Sequence, residues 1–198
     1  QARASGTAGP PRQGDVVLLK IDFAVLDFIQ SHLRTGVGDY LMPLISRLGD
    51  KGFIWIAAAL FLVLFPRTRR LGVAVAAALA IEILLCRGLI KPLAARIRPC
   101  DINTGIQMLV ARPTDYSFPS GHTAASFAAA SALYFRRSRW WLPAGLLAAL
   151  IATSRLYLYV HFPTDVLGGA ALGILSGWLG VRLTDLAAGR REENAKQK

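Results

Sequence analysis

The chain has 198 residues, of which 54% are apolar, and a formal charge of +11. That length suits one domain, while the apolar fraction and positive mean hydropathy exclude an ordinary soluble protein. The basic residues fall mainly in short clusters between long apolar runs, so the charge reads as loops beside an anionic membrane surface and not as a nucleic-acid-binding face.

Residues 1–15 are rich in Gly, Pro, Ala, Arg and Gln and read as a disordered tail or expression remnant, with no cleavable signal peptide. Residues 16–34 carry apolar side chains at helical spacing, but Lys20, Asp22, Asp27 and His32 interrupt them. That pattern predicts an amphipathic interfacial helix in place of a span, and a second is expected over 38–48. Gly49, Asp50, Lys51 and Gly52 break the pattern. FIWIAAALFLVLF then predicts a short first span, ended by Pro66 and the cluster Arg67, Arg69 and Arg70. The next run, 71–90, has the roughly 20 residues that crossing hydrocarbon requires. Glu82 and Arg87 interrupt it and read as structural partners of neighbouring helices, with headgroup binding or gating as the alternative. From 92 to 117 polarity rises, and Pro92, Pro99, Gly105 and Pro113 predict a connecting loop, with a continuation of the helix into it. A third run, 122–135, ends in Arg136, Arg137 and Arg139 with Trp140 and Trp141. Runs 142–160 and 164–184 follow, parted by His161, Phe162 and Pro163.

The expected architecture is all-α: an integral membrane bundle of about five transmembrane helices with N-terminal amphipathic interfacial helices. One membrane-embedded domain covers 16–187, and a charged cytoplasmic tail covers 188–198. The basic clusters at 67–70, 136–139 and 190–198 fall at alternate helix ends and therefore on one side, cytoplasmic by the positive-inside rule. The connections 91–121 and 161–164 are then extracytoplasmic. Cys86 and Cys100 lack metal-ligand spacing and read as unpaired thiols.

Three separated segments bring unusual polar residues to that outer face. In KPLAARIRP, Lys91 and Arg98 lie seven residues apart, about two turns, and address one pocket if the helix continues past Pro92. Gly88, four residues before Pro92, leaves the ring room. Snorkelling interface cations would give the same spacing. In PSGH, Ser120 is a helix cap that leaves the amides of Gly121 and His122 facing outward, an end that binds phosphate readily. Capping alone also explains the serine. In SRLYLYVHFPTD, His161 and Asp165 are four residues apart, within hydrogen-bond reach on a helix, and Arg155 supplies a planar fork suited to phosphate oxygens. A carboxylate on one ring nitrogen leaves the other free to attack, although such a pair also closes helix ends. Tyr157 and Tyr159 read as interface anchors or as residues of the pocket mouth.

Together, K-x6-RP, PSGH and SR-x5-H-x3-D resemble the full signature of the type 2 phosphatidic acid phosphatase superfamily, shared with bacterial nonspecific acid phosphatases and vanadium haloperoxidases. The resemblance spans about 40–185. It implies that Lys91, Arg98 and Arg155 hold phosphate oxygens with Ser120 and Gly121, and that His161 attacks phosphorus. Asp165 orients His161, and His122 protonates the leaving oxygen. It implies no metal and no cofactor. The apolar runs favour the membrane lipid phosphatase branch, with undecaprenyl diphosphate as first substrate and phosphatidylglycerophosphate, phosphatidic acid or a lipid A phosphate as alternatives. The expected partners are that lipid and the bilayer, at the plasma membrane with the site facing outward. The rivals are an anionic-lipid binding or transport protein, which needs no His161–Asp165 pair, and a phosphotransferase with an acceptor other than water.

Overall fold

Glycines, prolines and basic clusters cut the chain near the predicted points, and every regular element between them is helical in the computed structural model, which describes residues 13–196. Most of the expected N-terminal tail, residues 1–12, lies outside the described residues. Helix α1 (Gln13–Phe28) runs into a π-turn over Ile29–Leu33. Thr35 caps α2 (Gly36–Leu48), its Oγ1 accepting from Gly38 N at 3.1 Å. A 3₁₀ turn, Asp50–Gly52, uses positive φ at Lys51 and Gly52 to enter α3 (Phe53–Leu64). Helix α4 (Arg69–Ile83) continues through a π-helix over Leu84–Ile90 into α5 (Lys91–Ala94). The wider π register suits Pro92, which has no N–H to donate into the preceding turn. Short α6 (Pro99–Ile102), then α7 (Gly121–Phe135), α8 (Trp141–Tyr157) and α9 (Pro163–Lys196) complete the order.

Two boundaries differ from expectation. The helix bearing Lys91 does not reach Arg98: Ala95 turns left-handed and Arg98 is extended, with φ −77° and ψ 152°, because a residue before proline is pushed out of the helical region. A Cβ at Gly88 would meet nothing within 4 Å, so the turn past Pro92 rests on the π register and not on that glycine. At the other end, α9 stays helical to Lys196, through most of the stretch 188–198 read as a tail.

Alanine and serine crowd α7, and such small side chains let neighbouring helices close on it. It packs against α9, α4 and α8. On α9, a Cβ at Gly173 would stand 2.7 Å from Phe127 Cβ and 2.9 Å from Ala128 N, so only glycine permits this approach. Trp55 Nε1 on α3 donates to Ser126 Oγ on α7 at 2.9 Å. Outward, the apolar surface is open: Leu64 is 72% and Leu84 69% exposed. A water-facing surface would avoid this arrangement, whereas lipid tails match it. Among the described residues, Arg69–Ile102 and Pro163–Arg190 are long and apolar enough to cross a membrane, and Trp141–Tyr157 is a shorter apolar helix.

The polar residues of α1 do not simply face an interface. Asp22 is buried, accepting from Thr164 N at 3.0 Å and from Arg96 Nη2 at 2.7 Å, and Asp27 accepts from Tyr159 OH at 3.0 Å. Tyr157 OH donates to Asp39 on α2 at 2.8 Å. Both tyrosines are therefore buried ties that hold α1 and α2 across the end of α8, neither interface anchors nor pocket lining.

Candidate active site

Pro119 and Ser120 start α7, and Ser120 Oγ accepts from Thr123 Oγ1 at 2.9 Å and more loosely from Thr123 N at 3.5 Å. The first amides of the helix have no intrahelical acceptor, so a cluster of donors marks this end. Gly121 and His122 lie on the wall of a cavity of about 920 Å³. A Cβ at Gly121 would have only Cys86 Sγ nearby, at 3.8 Å; the protein around it does not demand glycine, which leaves close backbone approach from the cavity as its use.

Lys91, Arg98, Arg155 and His161 line the same cavity. Six of the eight expected site residues therefore share one space, while Ser120 and Asp165, both fully buried, stand behind it. Arg155 Nη1 donates to Ser46 Oγ, and its Nε is a buried donor with no protein partner. Lys91 Nζ meets Asp115 Oδ2 at 2.5 Å and Tyr116 O at 2.6 Å. Arg98 donates to Asp115 Oδ1 at 2.7 Å, to Asp115 O at 2.9 Å and to Val160 O at 2.7 Å. Burial opposes the charge on Asp115, yet Lys91 and Arg98 hold its carboxyl well below the usual range.

His161 lies in the turn before α9, not on the helix, so the expected four-residue helical contact with Asp165 is stretched: Nδ1 to Oδ2 is 3.5 Å. Ser117 fills the gap, its Oγ 2.5 Å from Asp165 Oδ2 and 3.5 Å from His161 Nδ1. Asp165 Oδ2 also accepts from Phe162 N at 2.9 Å, and Oδ1 accepts from Arg96 Nη1 at 2.6 Å. On the other side of the ring, Arg98 Nη1 is 3.0 Å from Nε2. A guanidinium can only donate, so Nε2 carries the lone pair and Nδ1 the proton. Burial first, then Arg98 and Arg155, push the His161 imidazolium well below its ordinary pKa, leaving the ring neutral.

His122 Nε2 is 2.9 Å from Asp50 Oδ1, and a Cβ at Gly49 would come within 2.9 Å of His122 Cδ2, so the 49–52 turn seats this ring. Glu82 and Arg87 border a smaller chamber, about 80 Å³, that shares Lys51, Arg87, Gly121 and His122 with the main cavity, so Arg87 lines both spaces and Glu82 the smaller one. Five residues at the site escaped sequence reasoning, Ser46 beside Arg155 among them. Asp115 and Ser117 sit just before PSGH, Arg96 sits two residues before Arg98, and Asp50 read only as part of a helix break. Among the described residues no group of three His, Cys, Asp or Glu is placed to hold a metal ion.

A family model described as the PAP2 superfamily matches residues 68–187, which contain all eight expected site residues. The chain is 33% identical over 144 residues to the undecaprenyl-diphosphatase of Sulfolobus acidocaldarius, covering 72% of this chain and 69% of that one. It is 35% identical over 194 residues to the decaprenylphosphoryl-5-phosphoribose phosphatase of Mycobacterium tuberculosis, covering 94% and 97%. The crystal structure of Aquifex aeolicus LpxE superposes with a TM-score of 0.69 at 27% identity, over 84% of this chain and 95% of that one.

Proposed function

The chain belongs to the PAP2 superfamily and is a lipid phosphate phosphatase, and from that premise we propose that it hydrolyses a polyprenyl-linked phosphate, undecaprenyl diphosphate first, through a phosphohistidine on His161. The observation that carries the reading is the lone pair of His161 Nε2 held in one cavity with Lys91, Arg98 and Arg155.

In this mechanism the phosphoryl oxygens take hydrogen bonds from Lys91, Arg98, the Arg155 guanidinium and the amides at the start of α7, which Ser120 fixes. Phosphoryl transfer asks mainly for positioning and charge stabilisation, and this donor set supplies both. Nε2 attacks phosphorus as the bond to the leaving oxygen breaks, and His122, oriented by Asp50, gives that oxygen its proton. Asp165 stabilises the positive charge that grows on His161. A water then attacks the phosphohistidine, His122 takes its proton, and Nε2 leaves with its electron pair. In the accompanying topology α3, α4, α7, α8 and α9 cross the bilayer, and the basic clusters hold the cavity on the extracytoplasmic side of the plasma membrane. The substrate enters from the outer leaflet, and α1 and α2 lie at the interface.

The match to the mycobacterial enzyme, which spans nearly the whole chain, favours decaprenylphosphoryl-5-phosphoribose as a second substrate. Phosphate release by the detergent-purified protein from a panel of lipid phosphates, with and without EDTA, tests the reading. Polyprenyl substrates should be turned over fastest and EDTA should leave the rates unchanged. Faster release from phosphatidic acid or phosphatidylglycerophosphate would move the substrate assignment, and loss of release in EDTA would end the metal-free mechanism.

The state of His161 sets a pH expectation. Protonation removes the attacking lone pair, and its pKa lies well below 6.5 in the folded protein, so kcat/KM should persist as pH falls through the usual imidazole range and fail only below it. A pH–rate profile with an acid limb centred at or above 6.5 would contradict a buried neutral nucleophile.

A further inference from the structure

The carboxylate of Asp115 gives Oδ2 to Lys91 and Oδ1 to Arg98, one oxygen for each cation, at 2.5 and 2.7 Å. Both cations are buried, whereas the Asp115 side chain is 55% exposed on the cavity wall. Two backbone carbonyls, Asp115 O and Tyr116 O, already accept from the same two side chains and hold them in place. The carboxylate therefore uses the donors that a phosphoryl group requires, and uses them from the cavity side.

We propose that Asp115 is an internal competitor for Lys91 and Arg98, and so a specificity-determining residue that admits a terminal phosphate and rejects phosphodiester headgroups. The proposal rests on the reading of this cavity as the phosphate site. A phosphodiester brings one negative charge and two unesterified oxygens, no more than the carboxylate already provides. A terminal phosphate carries close to two charges near neutral pH and three free oxygens. The third oxygen is left to donors that Asp115 does not occupy, the Arg155 guanidinium on the cavity wall and the first amides of α7, and this surplus displaces the carboxylate. Ordinary phospholipids present phosphodiesters at high local concentration, so discrimination at this point keeps the site clear of the surrounding bilayer. The cost is weaker binding of every anion: a carboxylate that holds the cations nine-tenths of the time lowers apparent affinity about 10-fold.

The test measures orthophosphate binding to the full chain in detergent by calorimetry, for the wild type, Asp115→Asn and Asp101→Asn, and repeats it in a His161→Ala background. Asp101 is a fair control because it removes the same charge nearby while its only ion-pair contact among the described residues is Arg112, at 4.0 Å. Asp115→Asn should bind orthophosphate about 10-fold more tightly, and Asp101→Asn should stay within about twofold of wild type. In turnover assays Asp115→Asn should show a lower KM, and phosphatidylglycerol in the micelle should inhibit the variant but not the wild type. Unchanged or weaker orthophosphate binding would make Asp115 a prop for the cations and overturn the proposal. Equal tightening by Asp101→Asn would reduce it to bulk charge, and tightening without phosphatidylglycerol inhibition would remove the selectivity. Binding in the His161→Ala background does not involve turnover, so a failure of the histidine mechanism leaves this result readable by itself.

Discussion

His161→Ala should lower phosphate release by on the order of 10⁴-fold or more while the protein still folds and still binds lipid phosphate. The substitution removes the atom that forms the bond to phosphorus, and no other imidazole can replace it: His122 is engaged by Asp50 from the 49–52 turn, and His32 sits in the π-turn after α1, bonded to Ser31 and stacked on Phe28. The cations lose little, because Arg98 keeps Val160 O and both the carboxylate and carbonyl of Asp115 when the ring is gone. Affinity should therefore hold within a few-fold while kcat collapses, the signature of an interaction made only on the way to the transition state. Rapid quenching of wild-type protein with phosphate-labelled substrate should trap acid-labile, base-stable label on the chain, and the variant should trap none. Release within tenfold of wild type by His161→Ala would sink the nucleophile assignment.

How much of this was legible in the sequence follows from how far each signal reaches. The helices were visible because apolar runs and their Gly, Pro and Arg boundaries are local, and the cavity-lining cations were visible because their motifs lie in short stretches. The failures are long-range or backbone-specific. Spacing brings Lys91 and Arg98 to one pocket on the condition that the helix continues past Pro92, yet the bend at Ala95 and the extended pre-proline backbone bring Arg98 in from a separate segment. Asp22 reads as one of the polar interruptions that make an amphipathic interfacial helix, because nothing near it in sequence announces Thr164 or Arg96, its partners 142 and 74 residues away. Asp50 looked like a turn former, and only its bond to His122, 72 residues on, gives it a second use. Ser117 and Asp115 stood beside the recognised motif, but an acidic residue among cations carries no sign in sequence of whether it faces them.

The second large effect is expected at Asp165. Its two oxygens accept from Ser117, Phe162 N and Arg96, and Oδ2 faces His161 Nδ1. In Asp165→Asn the new amide must turn its NH₂ either toward Ser117 and the Phe162 amide or toward the Arg96 guanidinium, and each choice sets donor against donor. The His161 proton then has no anion to hold it on Nδ1, and the charge that grows on the ring during attack goes unbalanced. A loss of about 10³ to 10⁴-fold in kcat is expected, by analogy with carboxylate removal from other histidine-centred sites. Breaking the part-buried ion pair with Arg96 should also cost about 2 kcal/mol of stability, read as a lower unfolding temperature in detergent, although Arg96 keeps Asp22 as a partner. Because Asp165 acts through His161, the two losses should not multiply: the His161→Ala, Asp165→Asn double variant should be no slower than His161→Ala alone. A double variant slower by the product of the single losses would give Asp165 a role independent of the histidine, and the dyad would have to be abandoned.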